Sequence, residues 1–301
     1  MSRPGYQRAS STNLANRPQH RSLEGKLAII TGGSRGIGAA IASNLASKGA
    51  HLVLNYTSDS SADKTESLSA SLQAEHNVRV LPVQADLGDP NGPAHLIATA
   101  KNKFAHPKTG KFQIDIIVNN AGVAGNQLLH HVTPDAFLEQ YNINVLAPIL
   151  LLQAAIPHLP TDRSGRIVNL SSVSASLGFV GQTVYGGTKA ALEHMTRTWA
   201  RELAERATVN AVNPGPVATD MYSSTGADFQ QQMKPFILSA PLMREREGVD
   251  PQEFVDDAKK AGGRPGYDHE IAGVVAMLCS EDAAWCTGSV ICANGGFKFS
   301  Y

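Results

Sequence analysis

Short apolar runs recur along the chain, each followed by a longer stretch in which apolar residues return at helical spacing. The runs are KLAII (Lys26 to Ile30), HLVLN (His51 to Asn55), VRVLPVQ (Val78 to Gln84), IDIIVNN (Ile114 to Asn120), RIVNLS (Arg166 to Ser171), TVNAVN (Thr208 to Asn213) and GSVICANGG (Gly288 to Gly296). Helical patterns fill the intervals, among them AAIASNLASKG, which ends at a capping Gly49, and the closing EIAGVVAMLCSE. Strand and helix alternating to a seventh strand predict an α/β fold: one doubly wound, seven-stranded parallel sheet flanked by helices on both faces.

Three stretches depart from this rhythm. Residues 1–24 are polar, with Arg3, Arg8, Arg17 and Arg21 and no acid before Glu24. They carry too few apolar residues for an amphipathic presequence and read as a disordered or surface-draped tail before a single domain at 25–301. Pro134 to Leu159 predicts one long helix, apolar on nearly every side from Val145 onward. A helix apolar all round is buried on more than one side, which predicts a homo-oligomer, dimer or tetramer. Residues 222–268 are longer than a connection needs, apolar in the first half and polar in the second, and read as a helical flap over a substrate.

Composition narrows the function. A chain of 301 residues with 42% hydrophobic content can bury one large core, and its 26 basic and 26 acidic residues leave no net charge. Neither a nucleic-acid nor a membrane partner is expected, and the expected compartment is the cytoplasm. Cys279, Cys286 and Cys292 lack metal-ligand spacing and read as buried thiols of a reducing compartment. His130, His131 and His158 read as loop or surface histidines, so no metal is expected.

The first strand runs directly into TGGSRGIG (Thr31 to Gly38) and then into a helix. Strand, glycine-rich turn and helix N-terminus form the context of a dinucleotide site, because glycines admit the pyrophosphate and the helix dipole favours its charge. Gly32, Ser34, Arg35, Gly36, Ile37 and Gly38 are the candidate contacts, in a Gly-x-x-x-Gly-x-Gly spacing. After the second strand, where NAD-selecting sites place an acid, the chain has Tyr56, Thr57 and Ser58. With Arg35 nearby to meet a 2′-phosphate, or alternatively solvated, the residues point to NADP(H). Asp86, beside Leu87, reads as a contact to the adenine or as a helix N-cap. Asn119 reads as a cofactor contact or as a tie between strands, and the small Ala121 and Gly122 let the backbone lie against the cofactor. Beyond the sixth strand, Pro214 and Gly215 make the turn, and Val217 and Thr219 are placed to bind a nicotinamide carboxamide.

Tyr185 and Lys189 are one helical turn apart, so a phenol and an ammonium share one face. The ammonium is expected to lower the phenol's pKa from about 10 toward the working range. Ser172, at the end of the preceding strand, places a hydroxyl beside that phenol.

Together, TGGSRGIG, Asp86-Leu87, NNAG, Asn144, Ser172, Tyr185-x-x-x-Lys189, PGPVATDM and the closing NGG resemble the short-chain dehydrogenase/reductase family from about Leu23 to Gly296. The resemblance implies a Rossmann-like fold and a catalytic tetrad of Asn144, Ser172, Tyr185 and Lys189. It implies that Tyr185 protonates the substrate oxygen, Ser172 hydrogen-bonds it, Lys189 holds the nicotinamide ribose and Asn144 positions a water for reprotonation. It also makes Arg35 part of an NADP-preferring pattern. The expected activity is NADPH-dependent reduction of a ketone to a secondary alcohol, on a β-keto thioester, a polyketide-type ketone or an aromatic ketone. The alternatives are an alcohol or polyol dehydrogenase running in oxidation and a non-catalytic nucleotide sensor; the intact tetrad argues against the sensor.

Overall fold

The computed structural model describes residues 21–250, 252–261 and 263–299. Most of the polar tail therefore lies outside the described residues. Its last residues already belong to the domain, because Leu23 is buried in the core and its N–H donates to the Lys48 carbonyl at 2.8 Å.

The strands are β1 (Leu27–Ile30), β2 (His51–Tyr56), β3 (Val80–Gln84), β4 (Ile116–Asn119), β5 (Gly165–Leu170), β6 (Ala207–Val212) and β7 (Val290–Ile291). They form one seven-stranded sheet in the order β3-β2-β1-β4-β5-β6-β7, and every pairing is parallel. The expected architecture is the one observed. Strand direction of travel reverses between β1 and β4, so a crevice opens beyond their carboxyl ends, the usual ligand position in such sheets.

Helices α1 (Gly36–Ser47), α2 (Ala62–His76) and α3 (Gly92–Phe104) follow the first three strands. Within β1, Ala28 and Ile30 enter one core while Leu27 and Ile29 enter the other. That alternation is the two-residue period of a strand buried on both faces. Helix α1 and α10 (Asp268–Cys279) cover the first face; α3, α5 (Ala147–Ala155) and α6 (Thr183–Glu202) cover the second.

The single helix expected over Pro134–Leu159 is instead a run of segments. Helix α4 (Pro134–Tyr141) passes into a π-helical stretch (Asn142–Leu146), then α5, then a 3-10 turn (Ile156–His158). The wide π turn sits at Asn144, whose amide bonds outside the helix, and such bulges cluster at functional sites. One face of α5 is buried through Ala147, Leu151, Leu152 and Ala155, while Leu146 and Ile156 stay exposed at either end.

Residues 222–268 hold the end of α7 (Asp220–Ser223), then α8 (Ala227–Ser239) and α9 (Gln252–Ala261). Phe229, Met233, Ile237 and Met243 form a separate small core with Val173 and Phe179, which follow Ser172, and with Phe297 near the C-terminus. Phe179 makes edge contacts to Phe229 and Phe236, and Phe236 stacks on Phe297. The segment therefore packs directly on the loop after β5.

Candidate active site

The turn from Thr31 to Gly36 is held from below by two asparagines. Asn55, at 1% exposure, accepts from Gly32 N at 3.2 Å through its side chain and from Gly33 N at 2.8 Å through its carbonyl. Asn120 Nδ2 donates to the Thr31 and Gly32 carbonyls at 2.9 and 3.0 Å, and Thr31 Oγ1 accepts from Asn120 N and Ala121 N at 3.0 Å each. Gly32 and Gly36 have φ of +60° and +51°, which glycine adopts without strain. A Cβ on Gly38 would fall inside the van der Waals envelope of Gly32 O and 2.6 Å from Asn120 Nδ2. Helix α1 begins at Gly36 with no side-chain cap and no acid in its first turn. Its first N–H groups are thus offered to an anion, as a dinucleotide site requires. Ser34 and Ile37 lie within this turn and first helical turn, the latter packed against the core.

Arg35 is exposed, with Nη1 3.5 Å from Asp220 Oδ2 at the start of α7. Tyr56 closes β2, and Ser58 Oγ hydrogen-bonds Ser60 Oγ at 2.8 Å. Asp59, the first acid after the strand, accepts from Gln84 Nε2 at 2.7 Å. Its carboxylate faces that amide rather than standing at the strand's end. Asp86 is exposed and accepts from Gly88 N at 2.9 Å, closing a turn; Asn91, not Asp86, occupies the N-cap of α3. Leu87 buries its side chain in the core, leaving only its backbone for a ligand.

Asn119 corrects one expectation. Its side chain is buried and donates to Asn169 Oδ1 at 2.7 Å; Asn169 Nδ2 in turn donates to Thr196 Oγ1 at 2.8 Å. Its amide nitrogen ties β4 to β5 and, through Asn169, to α6, the structural of the two readings. The residue that holds the cofactor turn is the next one, Asn120. The sequence signal was present in the NN pair, but strand alternation sends the two amides to opposite sides.

Ser172 follows β5 in extended conformation. Its Oγ donates to Ser174 Oγ at 3.2 Å and accepts from Ser174 N at 3.1 Å. The Ser172 hydroxyl also stands near enough to the Tyr185 phenol to favour its ionised form. Tyr185 and Lys189 lie on α6, both buried, with Lys189 Nζ 5.7 Å from the Tyr185 ring centroid. The expected lowering of the Tyr185 pKa is not what the protein alone produces. Burial raises the phenol above its ordinary value, and the Ser172 hydroxyl offsets only part of that. Burial also lowers Lys189 to about 8, because desolvation disfavours the ammonium. Lys189 Nζ donates to the Leu170 carbonyl at 2.8 Å.

Asn144 Nδ2 donates to Val123 O at 2.9 Å and Thr188 Oγ1 at 3.0 Å, while Oδ1 accepts from Val123 N at 2.9 Å. The amide thus grips the β4 loop and α6 at once. A Cβ on Gly122 would stand 3.3 Å from both Asn144 Oδ1 and Lys189 Nζ, so these residues converge on one spot. The Asn144 side chain acts as a clamp, and its polar atoms already have protein partners where a water ligand was expected.

Pro214 O accepts from Val173 N at 2.9 Å, and Gly215 packs against Met243 and Asn294. Val217 is buried, and its segment pairs with Gly266: Ala218 N donates to Gly266 O at 2.9 Å and Gly266 N to Pro216 O at 2.8 Å. Thr219 Oγ1 donates to Val217 O and caps α7 at Tyr222 N, while its methyl lies 3.2 Å from a Cβ built on Gly36. Thr219 therefore closes over the glycine-rich turn, with its hydroxyl already engaged.

Among the described residues no cluster of His, Cys, Asp or Glu could hold a metal, and no helix is long and apolar enough to cross a membrane. The three cysteines are free; burial pushes Cys279 up to about 12, so it is no nucleophile.

A turn offering bare helix N–H groups, with a half-buried serine and a buried tyrosine and lysine at the same sheet edge, defines a nucleotide-dependent oxidoreductase site. The family model for short chain dehydrogenase matches residues 26–230, and the chain belongs to that family. Membership makes it an NAD(P)-dependent oxidoreductase of CH–OH and C=O groups, within the ketoreductases and polyol dehydrogenases. The chain is 56% identical over 296 residues to an L-xylulose reductase of Aspergillus niger, covering 93% of this chain and 99% of that one. It is 51% identical over 300 residues to an L-xylo-3-hexulose reductase of Hypocrea jecorina, with coverage of 93% and 99%. Among solved structures it resembles a metagenomic blue fluorescent protein in complex with NADPH, at 36% identity and TM-score 0.77, covering 92% of this chain and 100% of that one. It also resembles an angucycline C-6 ketoreductase with bound NADP, at 32% identity and TM-score 0.77, with coverage of 92% and 96%.

Proposed function

We propose that this chain reduces the keto group of a small polyhydroxylated ketose to the corresponding polyol, using NADPH. The observation that carries the reaction is the convergence of Ser172, Tyr185 and Lys189 at the end of β5 and the start of α6. The choice of a ketose is supported by the two sugar-reductase relatives, which share more of this sequence than the angucycline C-6 ketoreductase does. Thioester, polyketide and aromatic ketones thereby give way to a sugar as substrate.

The residues present fit the dinucleotide. The uncapped N-terminus of α1, the positive φ of Gly32 and Gly36 that turns the backbone into it, and the convergence of Gly122, Asn144 and Lys189 form the cradle. NADPH, when bound, supplies the hydride to the carbonyl carbon. Arg35, free to leave its long exposed contact with Asp220, reads the 2′-phosphate, and no carboxylate at Tyr56-Thr57-Ser58 opposes it. Lys189 holds the ribose hydroxyls next to the nicotinamide, and Thr219 covers the turn.

Tyr185 gives its proton to the developing alkoxide, and Ser172 donates a hydrogen bond to the same oxygen. A phenol kept protonated by burial is the state an acid must start from. The lysine, brought close to neutral pH, returns charge to the site as the phenolate forms. Asn144 positions the β4 loop and α6 against each other. Helix α8, seated on the Ser172 loop, covers the substrate. A homo-oligomer is supported by exposed Leu146 and Ile156 at the ends of α5.

The test is nicotinamide absorbance with purified protein, NADPH against NADH, on L-xylulose, a β-keto thioester and a bicyclic aromatic ketone. Turnover of L-xylulose with NADPH is expected. Turnover of only the thioester or the aromatic ketone overturns the sugar assignment. Activity confined to NAD and a polyol means the enzyme runs as a dehydrogenase.

A further inference from the structure

Three buried side-chain oxygens on segments that pack around the start of α6 lack a hydrogen-bond partner among the described residues: Oε1 of Gln127, Gln140 and Gln182. They belong to one seam. Gln182 immediately precedes α6, three residues before Tyr185, and its Nε2 donates to Asn126 Oδ1 at 3.1 Å. Gln127 N donates to Gly181 O at 2.8 Å, stitching the β4 loop to the approach of α6. Gln140, on α4, lies with Nε2 2.9 Å from the position of a Cβ on Gly125 and 3.4 Å from Ala136 O.

Gln140 and Gln182 are only 4% and 8% exposed, and the amide nitrogens of both are already committed to carbonyl oxygens. That fixes which end of each amide is left over. A seam of acceptors needs donors, and a buried acceptor without one is costly. One such oxygen is an ordinary defect of packing. Three, on segments joined by the Gln127–Gly181 and Gln182–Asn126 bonds and by the Gln140–Gly125 contact just before Tyr185, are a pattern.

We propose that Gln127, Gln140 and Gln182 form the subsite that reads the hydroxyls of the substrate next to its keto group. This rests on the ketose reading and sharpens it: the site selects a chain carrying several O–H donors. The terminal torsion of a glutamine is soft, so each oxygen turns toward a hydroxyl without moving its backbone. The exposed Leu128 and Leu129 place the loop's tip at the protein surface, next to the seam. A ketone flanked by bare methylenes or an aromatic ring leaves all three acceptors unpaired. Sites built to pair a substrate hydroxyl discriminate strongly against analogues that lack it.

The experiment compares L-xylulose with cyclohexanone as substrates for the wild type, Gln182→Leu, Gln182→Glu and Gln140→Leu, with NADPH affinity by fluorescence as a check on folding. Gln182→Leu is expected to lose at least about tenfold more kcat/KM on L-xylulose than on cyclohexanone, mostly through KM. Gln182→Glu keeps an acceptor and should recover part of that discrimination. Gln140→Leu should show the same direction and supplies the comparison where Gln182→Leu does not fold. Equal losses on both ketones overturn the subsite while leaving the ketose reading intact. A wild type that reduces cyclohexanone but no ketose overturns both.

Discussion

Lys189 Nζ sits 2.8 Å from the Leu170 carbonyl, so the catalytic helix is tied by its lysine to the last residue of β5. The same burial that permits this bond lowers the lysine from 10.5 to about 8.

That shift predicts a pH dependence of stability. Between about 8 and 10.5 the unfolded chain holds a proton that the native lysine has released, so this residue's contribution to stability rises with pH there. Below about 8 the full cost applies, roughly 3 kcal/mol. Wild type should therefore gain on Lys189→Met by about 2 kcal/mol between pH 7.5 and 9.5, measured by denaturant unfolding. A constant difference would mean that the native lysine keeps its ordinary proton affinity.

Tyr185→Phe removes the proton donor but keeps the ring that fills the site. Turnover should fall by about 10³-fold, with NADPH affinity changed less than about threefold because the hydroxyl's work is on the substrate. Near-normal kcat would exclude Tyr185 as the acid.

Arg35→Ala should weaken NADPH by about 10- to 100-fold, the worth of a charge-assisted bond to phosphate. NADH should be nearly unaffected. A parallel loss for the two cofactors would assign Arg35 to the fold of the turn.

Gly38→Ala places a methyl against Gly32 O and Asn120 Nδ2, where backbone blocks any relief. Overpacking of this kind costs about 1–3 kcal/mol. Dinucleotide affinity should drop at least about tenfold, because the turn must open to admit the methyl. Titration of NADPH fluorescence would show it, and unchanged affinity would disprove the close packing.

Asn144→Ala strands both Val123 N–H and Val123 C=O, each bonded to the amide at 2.9 Å. With roughly 1–3 kcal/mol for each buried group left unpaired, a loss of about 2–4 kcal/mol is expected in thermal or urea unfolding. A loss below about 1 kcal/mol would show that water replaces the amide there.

Much of the fold was legible in the chain. Runs such as HLVLN and RIVNLS announce strands, and glycines at 32, 36 and 38 announce the turn between β1 and α1. Boundaries shifted by a residue or two where the last apolar side chain lies beyond the ladder, as at Ile114 and Val78. The π turn at Asn144 was not legible, because its cause is a partner, Val123, twenty-one residues earlier in the chain. Ser172, Tyr185 and Lys189 were legible as candidates because local spacing already places them on one strand end and one helix face.

The sequence by itself determined the alternation of strands and helices, the glycine-rich turn and the serine, tyrosine and lysine, because each depends on neighbours only a few residues away. Only the tertiary structure decided what surrounds them. It sent Asn119 into the core toward Asn169 and Asn120 onto the glycine turn, although the two are adjacent in the chain. It set the proton affinities of Tyr185 and Lys189 by burial rather than by their mutual spacing. It also brought the segments of Gln127, Gln140 and Gln182 together at the start of α6. Spacing along a chain fixes which side chains share an element; desolvation and long-range pairing exist only once the elements pack.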